Sequence, residues 1–129
     1  MFAAAVVVAL FGSCVCSAKL GGTVEVNGEK LSFGSCRSGA VYGFRGVELS
    51  SGTGLRLRIG ALRTGAAGVV VMPKGVAVGT DLGVPCGSFS ISNQNSTING
   101  VKNVEGKAVL ECEANGFKIK GEVTFENCH

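Results

Sequence analysis

Apolar and polar residues alternate with period two along most of this chain, most cleanly between Val104 and Phe125. Two alternating runs meet there at Asn115-Gly116. That dipeptide tolerates the positive φ that a two-residue type I′ turn needs at both central positions. A turn at this point predicts that Ala114 faces Phe117, Glu113 faces Lys118, Cys112 faces Ile119, Glu111 faces Lys120 and Ala108 faces Val123. The apolar residues of both strands then share one face. The other face carries Glu113–Lys118 and Glu111–Lys120, cross-strand pairs expected to contribute roughly 0.2–1 kcal/mol each. A one-residue slip would turn the whole apolar set toward water, so the register is well specified.

The same pattern predicts the rest of the elements. Thr23 to Phe33 reads as a second hairpin, turning at Asn27-Gly28 with Glu25 opposite Lys30. Ser35 to Gly39 reads as a turn. Val41 to Leu49 reads as one long strand, with a β-bulge near Arg45-Gly46 that brings Tyr42, Phe44, Val47 and Leu49 to one side. Leu55 to Ile59 is a period-two strand with an arginine face. Gly60 to Gly68 reads as a loop, and Val69–Met72 and Val76–Val78 as short strands separated by Pro73-Lys74-Gly75. Thr80 to Gly87 reads as a loop, Ser88–Asn93 as a strand, and Gln94 to Asn103 as a polar connection. No window has helical period or helix caps. Short strands between frequent turn signals predict an all-β chain, an antiparallel β-sandwich or partly open barrel, held by disulfides.

Composition changes this picture only at the margins. The 129 residues include 21 glycines, which suits many tight turns, and suffice for one domain with a core. The net charge of +3 is too small and too dispersed to imply nucleic acid as a partner. Met1 to Ala18 reads as a targeting segment, with Phe2 to Phe11 as an apolar run of signal-peptide length. Residues 19–129 are then a single all-β domain. Phe11-Gly12-Ser13-Cys14 resembles a bacterial lipobox, which makes Cys14 the candidate lipid anchor. Ordinary signal-peptidase cleavage after Ala18, with Cys16 and Ala18 as the small residues, is the alternative.

Cys36, Cys86, Cys112 and Cys128 remain once that segment is removed, and an even count in an exported small domain implies two disulfides. The C-terminal hairpin removes one of the three connectivities. Cys112 sits opposite Ile119, and Cys128 lies nine residues further along that strand, roughly 30 Å away in extended chain. Bridged Cα atoms lie within about 7 Å. Of the two remaining connectivities, Cys86–Cys112 with Cys36–Cys128 is favoured. If Ser88–Asn93 runs antiparallel to Gly106–Leu110, across a connection centred near Asn99, Cys86 comes opposite Cys112.

Candidate chemistry is sparse. Arg56 and Arg58, with Arg45, form a basic stripe suited to an acidic ligand, against the plainer alternative of a solvated strand face. Gly60 to Ala67 lacks the Lys and Ser/Thr of a phosphate loop. Asn95-Ser96-Thr97 is a glycosylation sequon only in a eukaryotic secretory pathway. The cysteines lack the C-x-x-C spacing a zinc site favours, and the one histidine is terminal. A triad therefore has neither base nor nucleophile. Neither a cofactor nor enzymatic activity is expected.

The layout resembles small exported bacterial lipoproteins, most nearly the mycobacterial LpqH-type lipoprotein antigens. The resemblance rests on the lipobox at Cys14, Val24-Glu25-Val26-Asn27-Gly28-Glu29-Lys30, the Gly34-Ser35-Cys36 turn, Phe117-Lys118-Ile119-Lys120-Gly121 and the closing Asn127-Cys128. It implies a β-sandwich with an early-to-last disulfide, in agreement with Cys36–Cys128. This chain departs from the family in its second cysteine pair and in the shortness of its tether, Val15 to Gly22. The expectation is a non-enzymatic, extracytoplasmic cell-envelope or secreted protein. It would be membrane-anchored if Cys14 is modified, and would meet an envelope protein or glycan through edge strands or the arginine face. The alternative is a small apolar-ligand or lipid carrier in an open barrel.

Overall fold

The computed structural model describes residues 18–42, 44–98 and 101–129. The targeting segment and Cys14 lie outside these residues, as does Asn99. Ten strands form among the described residues: β1 (Lys19–Val26), β2 (Glu29–Leu31), β3 (Phe33–Val41), β4 (Phe44–Ser51), β5 (Arg56–Ala61), β6 (Ala67–Met72), β7 (Thr80–Asp81), β8 (Gly87–Ile98), β9 (Val101–Ala114) and β10 (Phe117–Cys128). They make two five-stranded antiparallel sheets packed as a sandwich, one ordered β2-β1-β10-β9-β8 and the other β3-β4-β5-β6-β7. The core lies between them, with Val24, Leu110, Ile119 and Val123 from the first sheet against Leu49, Leu57, Ile59 and Val71 from the second.

Both Asn-Gly hairpins form in the expected register, including Glu113↔Lys118, Cys112↔Ile119 and Glu25↔Lys30. Asn27 and Asn115 occupy the left-handed region at φ 52° and 50°, each followed by a glycine that does the same. The two turns are neighbours, because β1 pairs with β10. Lys118 N–H donates to Asn27 Oδ1 at 2.7 Å, and Asn27 Nδ2 donates to the Gly116 carbonyl at 3.2 Å. The expected charge pairs stand opposite one another without closing into ion pairs. Contacts formed on this sheet instead are Lys107–Glu122, at 2.7 Å, and Lys19–Glu126, at 4.0 Å. On a solvated face the side-chain entropy of a long pair offsets its Coulomb gain, so register alone does not close it.

Both disulfides are those favoured by the register. Cys36–Cys128 ties the last strand of the first sheet to the edge strand of the second, and Cys86–Cys112 joins the start of β8 to β9. Beside the first bridge, Ser38 N–H donates to the His129 carbonyl at 3.2 Å.

The middle of the chain departs from the pattern-based reading. Ser35 to Gly39 is strand, not turn: Cys36 faces the core and the segment pairs with β4 from Ser35↔Ser50 onward. Its small polar residues look like a turn, but a half-buried edge position and a disulfide override that preference. Val41 to Leu49 is not one bulged strand. The chain reverses through Tyr42, so Val41 ends β3 opposite Phe44, and the irregularity lies between Phe33 and Ser35 instead. Gly60 and Gly68 belong to strands, which shortens the expected loop. Val76–Val78 forms no strand and is exposed, while Gln94–Asn103 is largely strand, with Ile98 opposite Val101. The expected tether also shortens, since β1 begins at Lys19.

Candidate functional site

Both outer faces carry rows of charged residues, lysines on the first sheet and arginines on the second. On the first sheet, Lys30, Glu25, Lys120 and Glu111 stand directly opposite one another across β2, β1, β10 and β9. Cations and anions alternate, and the row is close to neutral. A depression of about 480 Å³ on this face is bordered by Lys30, Lys118 and Lys120 together with Glu25. On the second sheet the corresponding row is Arg37, Glu48, Arg58, Val70 and Asp81 across β3 to β7, with Arg56 beside it opposite Ser50. Two guanidinium groups thus share the Glu48 carboxylate, and Arg37 stands opposite Glu48 in register. Arg58 Nε donates to Glu48 Oε2 at 2.9 Å, and Arg56 Nη1 reaches the same oxygen at 3.5 Å. Among the described residues Arg37 forms no ion pair.

Arg56 and Arg58 are therefore brought together as expected, but Arg45 is not with them. It lies on β4 opposite Ala40 of β3, at the parity of Val47 and Leu49, so it belongs to the opposite side of the sheet. Arg37 takes the place expected of Arg45. Reading residues 35–39 as a turn hid it. Recognising the reversal at Tyr42 would have revealed it, because Val41 opposite Phe44 puts Arg37 opposite Glu48.

The next row across this sheet is Gly39, Gly46, Gly60 and Gly68, one glycine from each of four strands. The β3–β4 turn curls over it. A Cβ on Gly46 would lie 2.6 Å from Val41 Cγ2, one on Gly60 2.7 Å from Val41 Cβ, and one on Gly68 2.5 Å from Tyr42 Cε2. At Gly39 a Cβ would meet nothing within 4 Å. The strip is thus covered by Val41 and Tyr42 over β4 to β6 and left open over β3. The opening is a groove of about 270 Å³, bordered by Arg37, Glu48 and Arg58 on one side and by Gly39, Ala40 and Val41 on the other.

Tyr42 holds the curl in place. Its φ of 57° is in the left-handed region, where a bulky side chain costs on the order of 1–2 kcal/mol. The conformation is kept by the ring's packing on Gly68 and by its hydroxyl, which donates to Asp81 Oδ1 at 2.7 Å. Asp81 is fixed in turn by Gly83 N–H at 3.0 Å, and its carbonyl accepts from Asn115 Nδ2 at 3.0 Å. The second Asn-Gly turn therefore braces the segment that anchors the groove's wall.

Burial pushes the Tyr42 phenol well above its ordinary value, and the hydrogen bond to Asp81 and that carboxylate's charge push the same way. Because the folded value is the higher one, the stabilisation is fully present below about pH 10, where an unfolded tyrosine titrates. It is lost as pH rises beyond that point. Tyr42 is the only tyrosine and the chain has no tryptophan, so ultraviolet phenolate absorbance reports this group alone. The native protein is expected to stay un-ionised through the range where the denatured chain titrates, and Tyr42→Phe should remove the alkaline fall in stability. Coincident native and denatured titration curves would contradict the clasp.

In comparisons with family models, curated proteins and solved structures, nothing matches this chain.

Proposed function

We propose that this protein is a non-enzymatic binding module of the extracytoplasmic cell envelope, and that the outer face of its second sheet docks an anionic partner. The observation that carries this reading is the pair Arg56 and Arg58 held on Glu48, with Arg37 opposite the same residue and without an ion pair among the described residues. Arginine is also the cation suited to planar recognition of carboxylate and phosphate, because its donors form a rigid fork. Two disulfides belong to an oxidising compartment outside the cytoplasm. The lipobox-like segment at Cys14 supports attachment to the membrane by a lipid, in keeping with the resemblance to small envelope lipoproteins.

The test is retention of the purified domain on immobilised anionic polymers at low and high salt. The unaltered protein should be retained at low salt and released as screening shortens the range of its charges. Arg56→Ala with Arg58→Ala should lower retention about tenfold or more without changing the folded spectrum. Equal retention of the double variant would show that the arginines are only a solvated face.

A further inference from the structure

We infer that the groove between Arg37 and Arg58 binds a single carboxylate-bearing sugar residue, a uronic acid, within an acidic glycan. This rests on the proposed binding of an anionic partner and identifies its chemistry.

The first support is the arrangement of donors and acceptors. Arg58 is held through its Nε by Glu48 Oε2, which leaves its two terminal nitrogens without a partner among the described residues. The guanidinium is therefore oriented before any ligand arrives, with its terminal fork available for a carboxylate. Both arginine contacts to Glu48 use Oε2, and nothing among the described residues donates to Oε1. A site for plain anions gains nothing from a carboxylate on its wall, since that charge repels them. A uronic acid offers both kinds of group: a carboxylate for Arg37 and Arg58, and hydroxyls that donate to Glu48 Oε1. Glu48 is thus a positioning residue for Arg58 and an acceptor for the sugar.

The second support is size and lining. The groove measures about 270 Å³, just below the roughly 300–1,000 Å³ of pockets that take drug-sized ligands. One sugar ring fits it better than an extended ligand does. Val41 and Val47 are its only large apolar neighbours, and it has no deep apolar socket of the kind that seats an aromatic anchor in protein–protein contacts. It is open over Gly39, so a chain could continue on both sides of the bound residue.

The experiment is isothermal titration of the intact folded protein with trigalacturonate, with polyglutamate and inorganic polyphosphate as comparison polyanions. Trigalacturonate should bind, and Arg37→Ala and Arg58→Ala should each weaken it about tenfold or more. Gly39→Val is the discriminating variant. It keeps every charge, its Cβ would meet nothing within 4 Å, and its two methyl groups would occupy the groove, so trigalacturonate binding should be lost while polyphosphate binding persists. Glu48→Ala should move the two ligands in opposite directions, weakening trigalacturonate and strengthening polyphosphate. Circular dichroism of each variant separates loss of binding from loss of fold. Polyglutamate binding as tight as trigalacturonate and indifferent to Gly39→Val would overturn the sugar site and point to an acidic protein partner. Failure of all three polyanions to bind would overturn the anion-binding reading along with it.

Discussion

Replacing Cys36 and Cys128 by serine is expected to destabilise the protein by about 4–5 kcal/mol, more than the loss of the other disulfide. The bridge closes a loop of 92 residues, against 26 for Cys86–Cys112. The chain-entropy argument gives about 4.6 kcal/mol for the longer loop and about 3.5 for the shorter. Against the roughly 5–15 kcal/mol of a typical domain, either loss is severe. The position adds to the effect. Cys36 is on the inner side of β3, and Arg37, the next residue, is on the outer side. The bridge, together with the Ser38–His129 hydrogen bond, keeps the strand that carries Arg37 against the sandwich. Denaturant midpoints of the two paired Cys→Ser variants would measure the difference. A larger loss from the Cys86/Cys112 variant would show that loop length does not set the order.

The second large effect is expected at Gly60. A valine there would place its Cβ 2.7 Å from Val41 Cβ and 3.0 Å from the Val41 carbonyl oxygen. The neighbours are backbone and a β-branched side chain, neither of which yields easily. Overpacking of this kind costs about 1–3 kcal/mol. The turn should lift off the glycine strip and break the Tyr42–Asp81 hydrogen bond, so the phenol should titrate close to an ordinary tyrosine. Thermal unfolding and the phenolate titration measure the two consequences separately. Gly39→Val, at one end of the same strip, adds a Cβ with nothing within 4 Å of it and should leave both almost unchanged. A stable Gly60→Val protein with Tyr42 still shifted would show that the curl does not depend on the glycine row.

These two predictions mark how far the pattern of residues reaches. The Asn-Gly hairpins were legible to the residue, and so was the favoured disulfide pairing, because a two-residue turn sets a register and a register sets which cysteines meet. The arginine face was legible only in part. Arg56 and Arg58 lie on a strand with plain alternation. Arg37 and Glu48 meet them through the pairing of β3 with β4, which depends on a turn at Tyr42. The local mark of that turn is weak, a single glycine after Tyr42 in the sequence: tyrosine has no preference for the left-handed region, and the alternation around it also suits a bulged strand.

Local chemistry therefore determined the elements whose turns are intrinsically stable. Asn27-Gly28 and Asn115-Gly116 adopt positive φ at little cost wherever they occur. Tertiary structure decided the groove. Tyr42 stays at φ 57° only because Gly68 leaves room for its ring and Asp81, 39 positions away, receives its hydroxyl. The energy that holds the turn comes from contacts between strands distant in the chain, and these appear only once the sheet has formed.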